Sequence, residues 1–259
     1  MGAVYFISDL HLGAPDKASS KVREKKFVEW LDQIKEDADA LYVVGDLFDF
    51  WYEYKRAVPR GFTRSLGKLA ELADQGVDIH LFTGNHDLWI FDYLPEEIGC
   101  HLHQNPIELE LYGRSVLVGH GDGLGPGDNG YKFLKKIFTN RLLQWCFERL
   151  HPNFGIWLAN NSSRYSRKHT GGKDAKFHGA ENEWLFQYCL KENKKKKRDL
   201  YLFGHRHLPI RMPLSDEGLY INLGDWIGYF TYLRMNETGA KLLEFKGDVH
   251  TDPEAKVFS

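Results

Sequence analysis

Short polar clusters that directly follow apolar runs constrain the fold of this chain more than any other feature. In the first half, the apolar runs alternate with amphipathic stretches, in the order Val4 to Ile7, Lys21 to Ile34, Ala40 to Val44, Phe62 to Ala73 and Val77 to Phe82. This order predicts strand, helix, strand, helix, strand. Because runs such as 41–44 are apolar on both sides, we expect parallel strands that helices cover on both faces.

Later apolar runs predict further strands. Ile107 to Leu111 and Val116 to Val118 flank Tyr112-Gly113-Arg114 and predict a hairpin. A final group is also typical of strands, namely Asp199 to Phe203, Ile210 to Pro213, Leu219 to Leu223, Tyr229 to Met235 and Ala240 to Phe245. We therefore expect the 259 residues to form one layered α/β domain with mixed sheets.

The stretch from Tyr131 to about Leu190 differs, because its apolar residues recur at helical spacing. Gly123 to Gly130, which contains Pro126, is a predicted hinge in front of it. We therefore expect a helical cap, inserted at about residues 125–190. The segment is basic, since residues 131–198 hold 16 of the 34 Lys and Arg residues but 5 of the 36 Asp and Glu residues.

Five polar clusters carry the candidate chemistry. They are Ser8-Asp9-Leu10-His11, Gly45-Asp46-Leu47-Phe48-Asp49, Gly84-Asn85-His86-Asp87, Gly119-His120-Gly121-Asp122 and Gly204-His205-Arg206-His207. Strand ends of an α/β sheet are where ligands bind, and residues two apart, as in Asp-X-His, share one side of an extended backbone. The glycines that begin most clusters allow sharp turns and close approach to an ion.

Seven side chains of these clusters are candidate metal ligands, namely Asp9, His11, Asp46, Asn85, His120, His205 and His207. Carboxylate oxygens mixed with imidazole nitrogens, without thiolate, suit Mn, Fe, Zn, Mg or Ni better than a structural zinc site. The set exceeds what one ion with an open position uses, and two ions about 3.5–4 Å apart can clamp a phosphoryl displacement. We therefore predict two divalent ions and hydrolysis of a phosphate ester or anhydride.

The order of the clusters resembles the calcineurin-like metallophosphoesterase family, whose pattern is Asp-X-His, Gly-Asp-X-X-Asp, Gly-Asn-His-Asp/Glu, Gly-His and Gly-His-X-His. The resemblance covers Ala3 to about Gly224 and implies an αββα fold. It implies one ion held by Asp9, His11, Asp46 and His207, and a second held by Asp46, Asn85, His120 and His205. Asp46 would bridge the two ions, and the resemblance favours Mn²⁺.

His86 has no ligand role in this scheme. We predict that it stabilises phosphoryl charge or protonates the leaving oxygen, and that Asp49 orients it, as in related enzymes. The alternative for both residues is a hydrogen bond that supports the ligand loops.

The chain length, the insertion and residues 120–131 further resemble the UDP-2,3-diacylglucosamine pyrophosphohydrolases of lipid A biosynthesis. Those enzymes release UMP and 2,3-diacylglucosamine 1-phosphate on the cytoplasmic side of the inner membrane. The resemblance implies substrate contacts from Asn85, His86, Asp128, Ser162, Ser166, Arg167, Lys168 and His205. The best-known enzymes of that subgroup carry Arg where this chain has His86, so a soluble nucleotide or phosphoester is the alternative substrate.

Basic and apolar residues interleave in the first part of the insertion. Lys132, Lys135, Lys136, Arg141 and Arg149 alternate with Phe133, Leu134, Ile137, Phe138, Leu142, Leu143, Trp145 and Phe147. Such helices can lie on an anionic bilayer and admit acyl chains, or they can simply pack on the core. A non-enzymatic nucleic-acid-binding protein is a remote alternative, because the net charge is −2 and the ligand set is complete.

The sequence also predicts where the protein works. It shows no basic leader with a long apolar stretch, and no apolar run of the roughly 18 residues that a membrane span needs. Its cysteines, Cys100, Cys146 and Cys189, are widely separated and match no metal-ligand spacing. We therefore expect a cytoplasmic protein that attaches peripherally to the inner membrane.

Overall fold

Two β-sheets packed face to face, with helices on their outer faces, make up the molecule. The computed structural model describes residues 2–126, 129–159, 161, 177, 179–214, 218–246 and 249–251. The strands are β1 (Ala3–Ile7), β2 (Ala38–Val44), β3 (Asp78–Phe82), β4 (His101–His103), β5 (Ile107–Leu111), β6 (Arg114–Gly119), β7 (Leu200–Phe203), β8 (Pro209–Pro213), β9 (Leu219–Leu223), β10 (Thr231–Asn236), β11 (Gly239–Lys246) and β12 (Val249–Thr251). The helices are α1 (Lys17–Ile34), α2 (Thr63–Asp74), α3 (Tyr93–Ile98), α4 (Asn129–Phe138), α5 (Arg141–Glu148), α6 (152–159) and α7 (Trp184–Lys195), with a 3₁₀ turn at Ala180–Asn182.

Both sheets are mixed, as predicted. The first has the strand order β12-β11-β10-β1-β2-β3-β4, and the second has the order β5-β6-β7-β9-β8. In the first sheet β1 to β4 run parallel, whereas β10 is antiparallel to β1. In the second, β6, β7 and β9 run parallel between antiparallel edge strands. Parallel strands end at the same edge of a sheet, so the polar clusters that follow them are brought together.

Apolar side chains fill three layers around the sheets. Outside the first sheet, Trp30 of α1 meets Trp226 edge to face, with 5.2 Å between ring centroids. Between the sheets, Phe6 stacks on Tyr42 at 4.8 Å. Outside the second sheet, α7 buries Leu185. Full burial of such side chains contributes roughly 1.5–3 kcal/mol each. The layers confirm the predicted αββα fold.

Local signals explain where several elements begin and end. Helix α1 starts at Lys17, before the predicted Lys21, because Asp16 Oδ1 accepts hydrogen bonds from Ala18 N at 2.8 Å and Ser19 N at 3.0 Å. The predicted hairpin joins β5 and β6 through Tyr112-Gly113, with φ values of 52° and 72°. The sequence did not predict α3 and β4, which span six and three residues, because such short elements carry little periodicity.

The helices between the fourth and fifth clusters pack in two different places. Helix α7 covers the second sheet. Helices α4, α5 and α6, which we call the cap, rest on loops of the first sheet. Phe147 of α5 lies 4.7 Å from Tyr52 between ring centroids, and Phe138 of α4 lies 5.4 Å from Trp89. Within the described ranges, no helix has the length and apolarity needed to cross a bilayer.

Candidate metal centre

The polar clusters meet at one edge of the sandwich, where β1, β2, β3, β6 and β7 end. Five of the candidate ligands have left-handed backbone angles, with φ between 44° and 68°: Asp9, His11, Asp46, His205 and His207. This conformation costs roughly 1–2 kcal/mol for a residue with a side chain. Such strain clusters at functional sites, where the surrounding structure holds it in place.

Two carboxylates lie at the centre of the cluster, and imidazoles surround them. Asp9 Oδ1 lies 3.4 Å from His207 Nε2 and 3.7 Å from His11 Nε2. Asp46 Oδ2 lies 3.4 Å from His11 Nε2 and also 3.4 Å from His120 Nε2. Asp46 therefore lies between the two groups of predicted ligands.

Several buried atoms that face the centre have no hydrogen-bond partner. They are Asp9 Oδ1, Asp46 Oδ2 and His11 Nε2. By contrast, the second oxygen of each carboxylate is satisfied, since Asp9 Oδ2 accepts from His205 N at 2.9 Å and Asp46 Oδ1 accepts from His86 N at 2.9 Å. A buried polar atom without a partner costs about 1–3 kcal/mol. Divalent cations fit this donor set, because they would bind all the inward-facing atoms.

His120 is held in the tautomer that a metal ligand requires. Its Nδ1 lies 2.9 Å from the backbone oxygen of Val44, which can only accept, so Nδ1 carries the proton. Its Nε2 lies 3.3 Å from Asn85 Oδ1 and 3.4 Å from Asp46 Oδ2. A cation that displaced the Nε2 proton would therefore meet three donor atoms at this point.

The electrostatics of the cluster favour the ligand forms of the carboxylates and of His205, but not those of His11 and His120. Burial alone would lower the pKa of these two imidazoles, but Asp46 and the neighbouring carboxylates raise both values to about 10, so a bound cation must displace a proton from each. Burial alone would raise the pKa of the Asp9 and Asp46 carboxyls, but the imidazoles around them hold both pKa values below the usual range. His205 lies 5.1 Å from His120 between ring centroids, and burial together with His120 lowers its pKa to about 4. The carboxylates are therefore anionic and His205 is neutral, as metal binding requires.

Three glycines of the motifs leave room for ligand side chains. A Cβ atom on Gly45 would overlap the His120 ring, and one on Gly84 would overlap the Asp46 carboxylate. At Gly204, a Cβ would collide with the hydroxyl of Ser8 and approach Asp9 Oδ2 to 2.7 Å. These positions need glycine because the neighbouring strand end places a ligand against the backbone.

His86 lies beside the cluster rather than apart from it. Its ring is 4.7 Å from that of His11, and with His11 and Asp46 it forms a group whose ligand atoms lie within 4.8 Å of one another. His86 Nδ1 lies 3.0 Å from the backbone oxygen of Asp49. The Asp49 carboxylate lies 3.7 Å from His86 Nδ1 and 3.6 Å from His11 Nδ1. Asp49 thus contacts His86 mainly through its backbone.

Sequence reasoning missed a carboxylate that contacts a candidate ligand. Asp225 Oδ2 lies 3.4 Å from His207 Nδ1. Asp225 Oδ1 accepts from Gly228 N at 2.8 Å and Tyr229 N at 3.0 Å, which fixes the carboxylate. Carboxylates in this place orient metal-binding histidines. Asp225 lies 18 residues beyond His207, in no motif.

The residue between the last two candidate ligands was also missed. Arg206 Nε lies 3.0 Å from both carboxylate oxygens of Glu183, and its guanidinium lies 4.6 Å from the Trp184 ring centroid. This buried ion pair ties the loop of His205 and His207 to the start of α7. The sequence gives little indication of this ion pair, because arginine side chains are mostly exposed in proteins.

Of the predicted substrate contacts, the structure places Asn85, His86 and His205 at this cluster. The others, Asp128, Ser162, Ser166, Arg167 and Lys168, lie outside the described residues.

The fold and the donor set define a metal-dependent hydrolase of the phosphoesterase class. The chain belongs to the calcineurin-like phosphoesterase family, whose family model matches residues 2–209. The family implies a dinuclear centre of divalent ions, for which the geometry above supplies the ligands.

Curated relatives carry one common name, UDP-2,3-diacylglucosamine hydrolase. The protein of that name from Porphyromonas gingivalis is 40% identical over 243 residues, which covers 88% of this chain and 92% of the relative. The one from Pseudomonas aeruginosa is 32% identical, with 86% and 91% covered. The one from Vibrio vulnificus is 28% identical, with 92% and 95% covered.

The glycine before Asn85 gives a direct test of the centre. Gly84→Ala should abolish tight Mn²⁺ binding and lower hydrolysis of bis(p-nitrophenyl) phosphate by about 100-fold or more, since misplaced catalytic groups cost that much. The reason is that the added methyl displaces the Asp46 carboxylate. Calorimetric Mn²⁺ titration and steady-state kinetics measure the two effects.

Gly67→Ala is the matched control. Gly67 lies inside α2 with no atom within 4 Å of its missing Cβ. This change should leave Mn²⁺ affinity unaltered and stabilise the protein by about 0.4–1 kcal/mol. Normal Mn²⁺ binding by Gly84→Ala would contradict the assigned centre.

Proposed function

We propose that this protein hydrolyses the pyrophosphate bond of UDP-2,3-diacylglucosamine to UMP and 2,3-diacylglucosamine 1-phosphate, a step of lipid A biosynthesis. The observation that carries the proposal is the 40% identity to a UDP-2,3-diacylglucosamine hydrolase over most of both chains. Independent support comes from a cap beside the metal centre that exposes apolar side chains suited to a lipid.

In this proposal, seven residues hold two divalent ions. Asp9, His11, Asp46 and His207 hold one, and Asp46, Asn85, His120 and His205 hold the other. The central place of Asp46, 3.4 Å from a nitrogen on either side, supports its bridging role. Bound there, the ions would supply Lewis-acid activation of water and of the phosphoryl oxygens. Mn²⁺ is the proposed ion, since mixed oxygen and nitrogen donors accept it.

The chain's own groups position the phosphate. Asn85 and His205 border the half of the centre near His120, while His86 borders the half near His11. We assign His86 to the phosphoryl oxygens. Since Nδ1–H faces the Asp49 backbone oxygen, the donor to phosphate would be Nε2–H of the imidazolium, and it would stabilise the negative charge that develops during in-line attack. Burial lowers the pKa of this ring, so the bound phosphate must favour its protonation. Asp49 fixes that ring through the 3.0 Å contact of its backbone oxygen with Nδ1. Asp49 is thus a positioning residue.

The cap has two faces with different roles. Phe138 and Phe147 face inward and pack on Tyr52 and Trp89, so the simple packing explanation holds for them. Eight other large apolar side chains of the cap are between 39% and 67% exposed, namely Phe133, Leu134, Leu142, Leu143, Trp145, Phe154, Trp157 and Leu158. This concentration of exposed apolar side chains on three neighbouring helices supports a binding site for a lipid or a membrane.

Positive charge accompanies this exposed surface. Lys136 and Arg141 are exposed on α4 and α5, and Arg149 lies 4.1 Å above the Trp145 ring. Basic residues next to a bilayer contribute about 1 kcal/mol each toward anionic lipids. We therefore propose a peripheral position on the cytoplasmic face of the inner membrane, where the cap takes up the acyl chains.

The direct test is the release of UMP. With Mn²⁺ present, the purified protein should convert UDP-2,3-diacylglucosamine to UMP and a lipid monophosphate, followed by chromatography and mass spectrometry. Asp46→Ala should abolish this activity, because it removes the carboxylate between the two halves of the centre.

A second outcome would identify the alternative substrate class. If the protein hydrolyses bis(p-nitrophenyl) phosphate or a soluble nucleotide but releases no UMP from the lipid, the lipid assignment is wrong and a soluble phosphoester takes its place. His86, which stands where the best-known lipid enzymes carry Arg, is the feature that favours this alternative.

Substitution of His86 tests its assigned role. His86→Ala should lower kcat by about 100-fold, as loss of one charge-stabilising donor does, whereas Mn²⁺ affinity stays within about two-fold. His86→Arg should recover most of the lost rate, because a guanidinium also donates hydrogen bonds to phosphate. A large loss of Mn²⁺ affinity in both variants would show that His86 is a metal ligand instead.

Substitution of the exposed cap surface tests lipid binding. The double variant Leu142→Ser/Trp145→Ser should raise KM for the two-chain substrate by at least about ten-fold, which is about 1.4 kcal/mol. KM for bis(p-nitrophenyl) phosphate, which has no acyl chain, should change far less. Val22→Ser on α1, a position 69% exposed and outside the cap, is the control. An equal change for both substrates would contradict acyl-chain binding.

A further inference from the structure

A polar pocket opens beside His120, on the side of the metal centre away from Trp89. It lies between α4 and the loop 104–106 that joins β4 to β5. It is a small recess that is partly open to solvent, with a cavity volume of about 60 Å³. Polar groups in its wall are Thr83, Gln104, Asn105, His120, Asp122 and Lys135.

Helix α4 connects this pocket with the apolar surface of the cap. In its first turn, Tyr131 Oη donates to Asp122 Oδ2 at 2.6 Å, and in its last turn Lys135 Nζ donates to the same oxygen at 2.5 Å. At its end, the backbone oxygen of Phe138 accepts from Trp89 Nε1 at 2.7 Å. Asp122 follows His120 by two residues and Trp89 follows His86 by three, so α4 spans the metal centre.

The surroundings of the centre differ on its two sides. Helix α5, which carries exposed apolar side chains, packs on the Trp89 side, and the polar pocket lies on the His120 side. The substrate proposed above has the same polarity, with acyl chains at one end, pyrophosphate in the middle and a nucleoside at the other end. When the acyl chains of the substrate lie at the cap, its nucleoside therefore lies at the pocket.

Two carboxamides in the pocket wall can form hydrogen bonds with the base. Gln104 and Asn105 are exposed, and their amide groups make no hydrogen bond to the described part of the chain. Lys135, by contrast, is engaged by Asp122. A carboxamide carries a donor and an acceptor side by side. Uracil presents the complementary pair, an N3–H donor next to the O4 acceptor, and Pro106 and Leu124 provide apolar contact for the ring.

We propose that this pocket binds the uracil base and that Gln104 and Asn105 form hydrogen bonds with it. The inference rests on the proposed function, since a nucleotide must first be part of the substrate. It names a binding site for a pyrimidine base that is distinct from the metal ligands and from the apolar face of the cap.

The test removes the donor and the acceptor of each carboxamide and nearly keeps the shape of the side chain. Gln104→Met and Asn105→Leu each do so without adding charge. Dissociation constants of UMP and of ribose 5-phosphate, which lacks the base, are measured by calorimetry on the Mn²⁺-loaded full chain. The ratio of the two constants separates the contribution of the base from that of the phosphate.

The wild type should bind UMP more tightly than ribose 5-phosphate, by about ten-fold or more. At least one of the two variants should lower this ratio by about five-fold, as loss of one hydrogen bond does. Gln75→Met, a change of an exposed amide at the end of α2, should leave the ratio unchanged. A ratio that neither pocket variant alters, or equal binding of both ligands to the wild type, would overturn the proposal.

Failure of the pocket proposal can be distinguished from failure of the proposed function. If the wild type releases UMP from the lipid substrate but neither variant alters the ratio of the two constants, the pocket is wrong and the function stands. If the pocket variants weaken UMP binding as expected but the protein releases no UMP from the lipid, the pocket stands as a nucleotide site and the lipid substrate is wrong.

Discussion

The structure depends on the burial of Asp9 and Asp46 at the junction of the two sheets. Each carboxylate directs one oxygen to the protein and the other to a centre lined by imidazoles. Burial of two such charges in a protein interior is costly unless opposite charge compensates them. Divalent ions supply that compensation, and their demand for close donors explains the left-handed backbone at the ligands and the glycines at the ends of the strands.

The sandwich brings these donors close together because the central strands of each sheet run parallel. Strands β1, β2 and β3 of one sheet, and β6 and β7 of the other, end at the same edge. Ligands that are far apart in sequence thus come from rigid strand ends rather than from long loops. The two outer helical layers then bury the remaining faces of the sheets, so the cost of the strained centre is distributed over a large apolar core.

Much of this centre could be predicted from the sequence because each motif is local. The spacing of Asp9 and His11, or of His205 and His207, already places two donors together, and glycine marks the sharp turns. Asp225 and Glu183 could not be found this way. Their roles arise from contacts with His207 and Arg206 across 18 and 23 residues, and neither contact leaves a periodic or composition signal.

The cap also shows what local sequence patterns cannot predict. Its interleaved basic and apolar residues are compatible with packing and with lipid binding, and the structure divides them between the two. Phe138 and Phe147 face the aromatic loop residues of the first sheet, while Leu142 and Trp145 remain exposed. Helical periodicity fixes which residues share a face, but only the docking of α4 across the centre decides which face turns inward.

The residues that determine substrate specificity in this protein are therefore separate from the metal ligands that carry out the reaction. The metal ligands lie on the sandwich, and the elements that can tell one phosphate compound from another lie around it, on α4, on the cap and on the loop 104–106. Helix α4 touches the loop of His120 through Asp122 and the loop of His86 through Trp89. A change in the cap can thus alter both ends of the bound substrate while the ligands of the centre keep their positions.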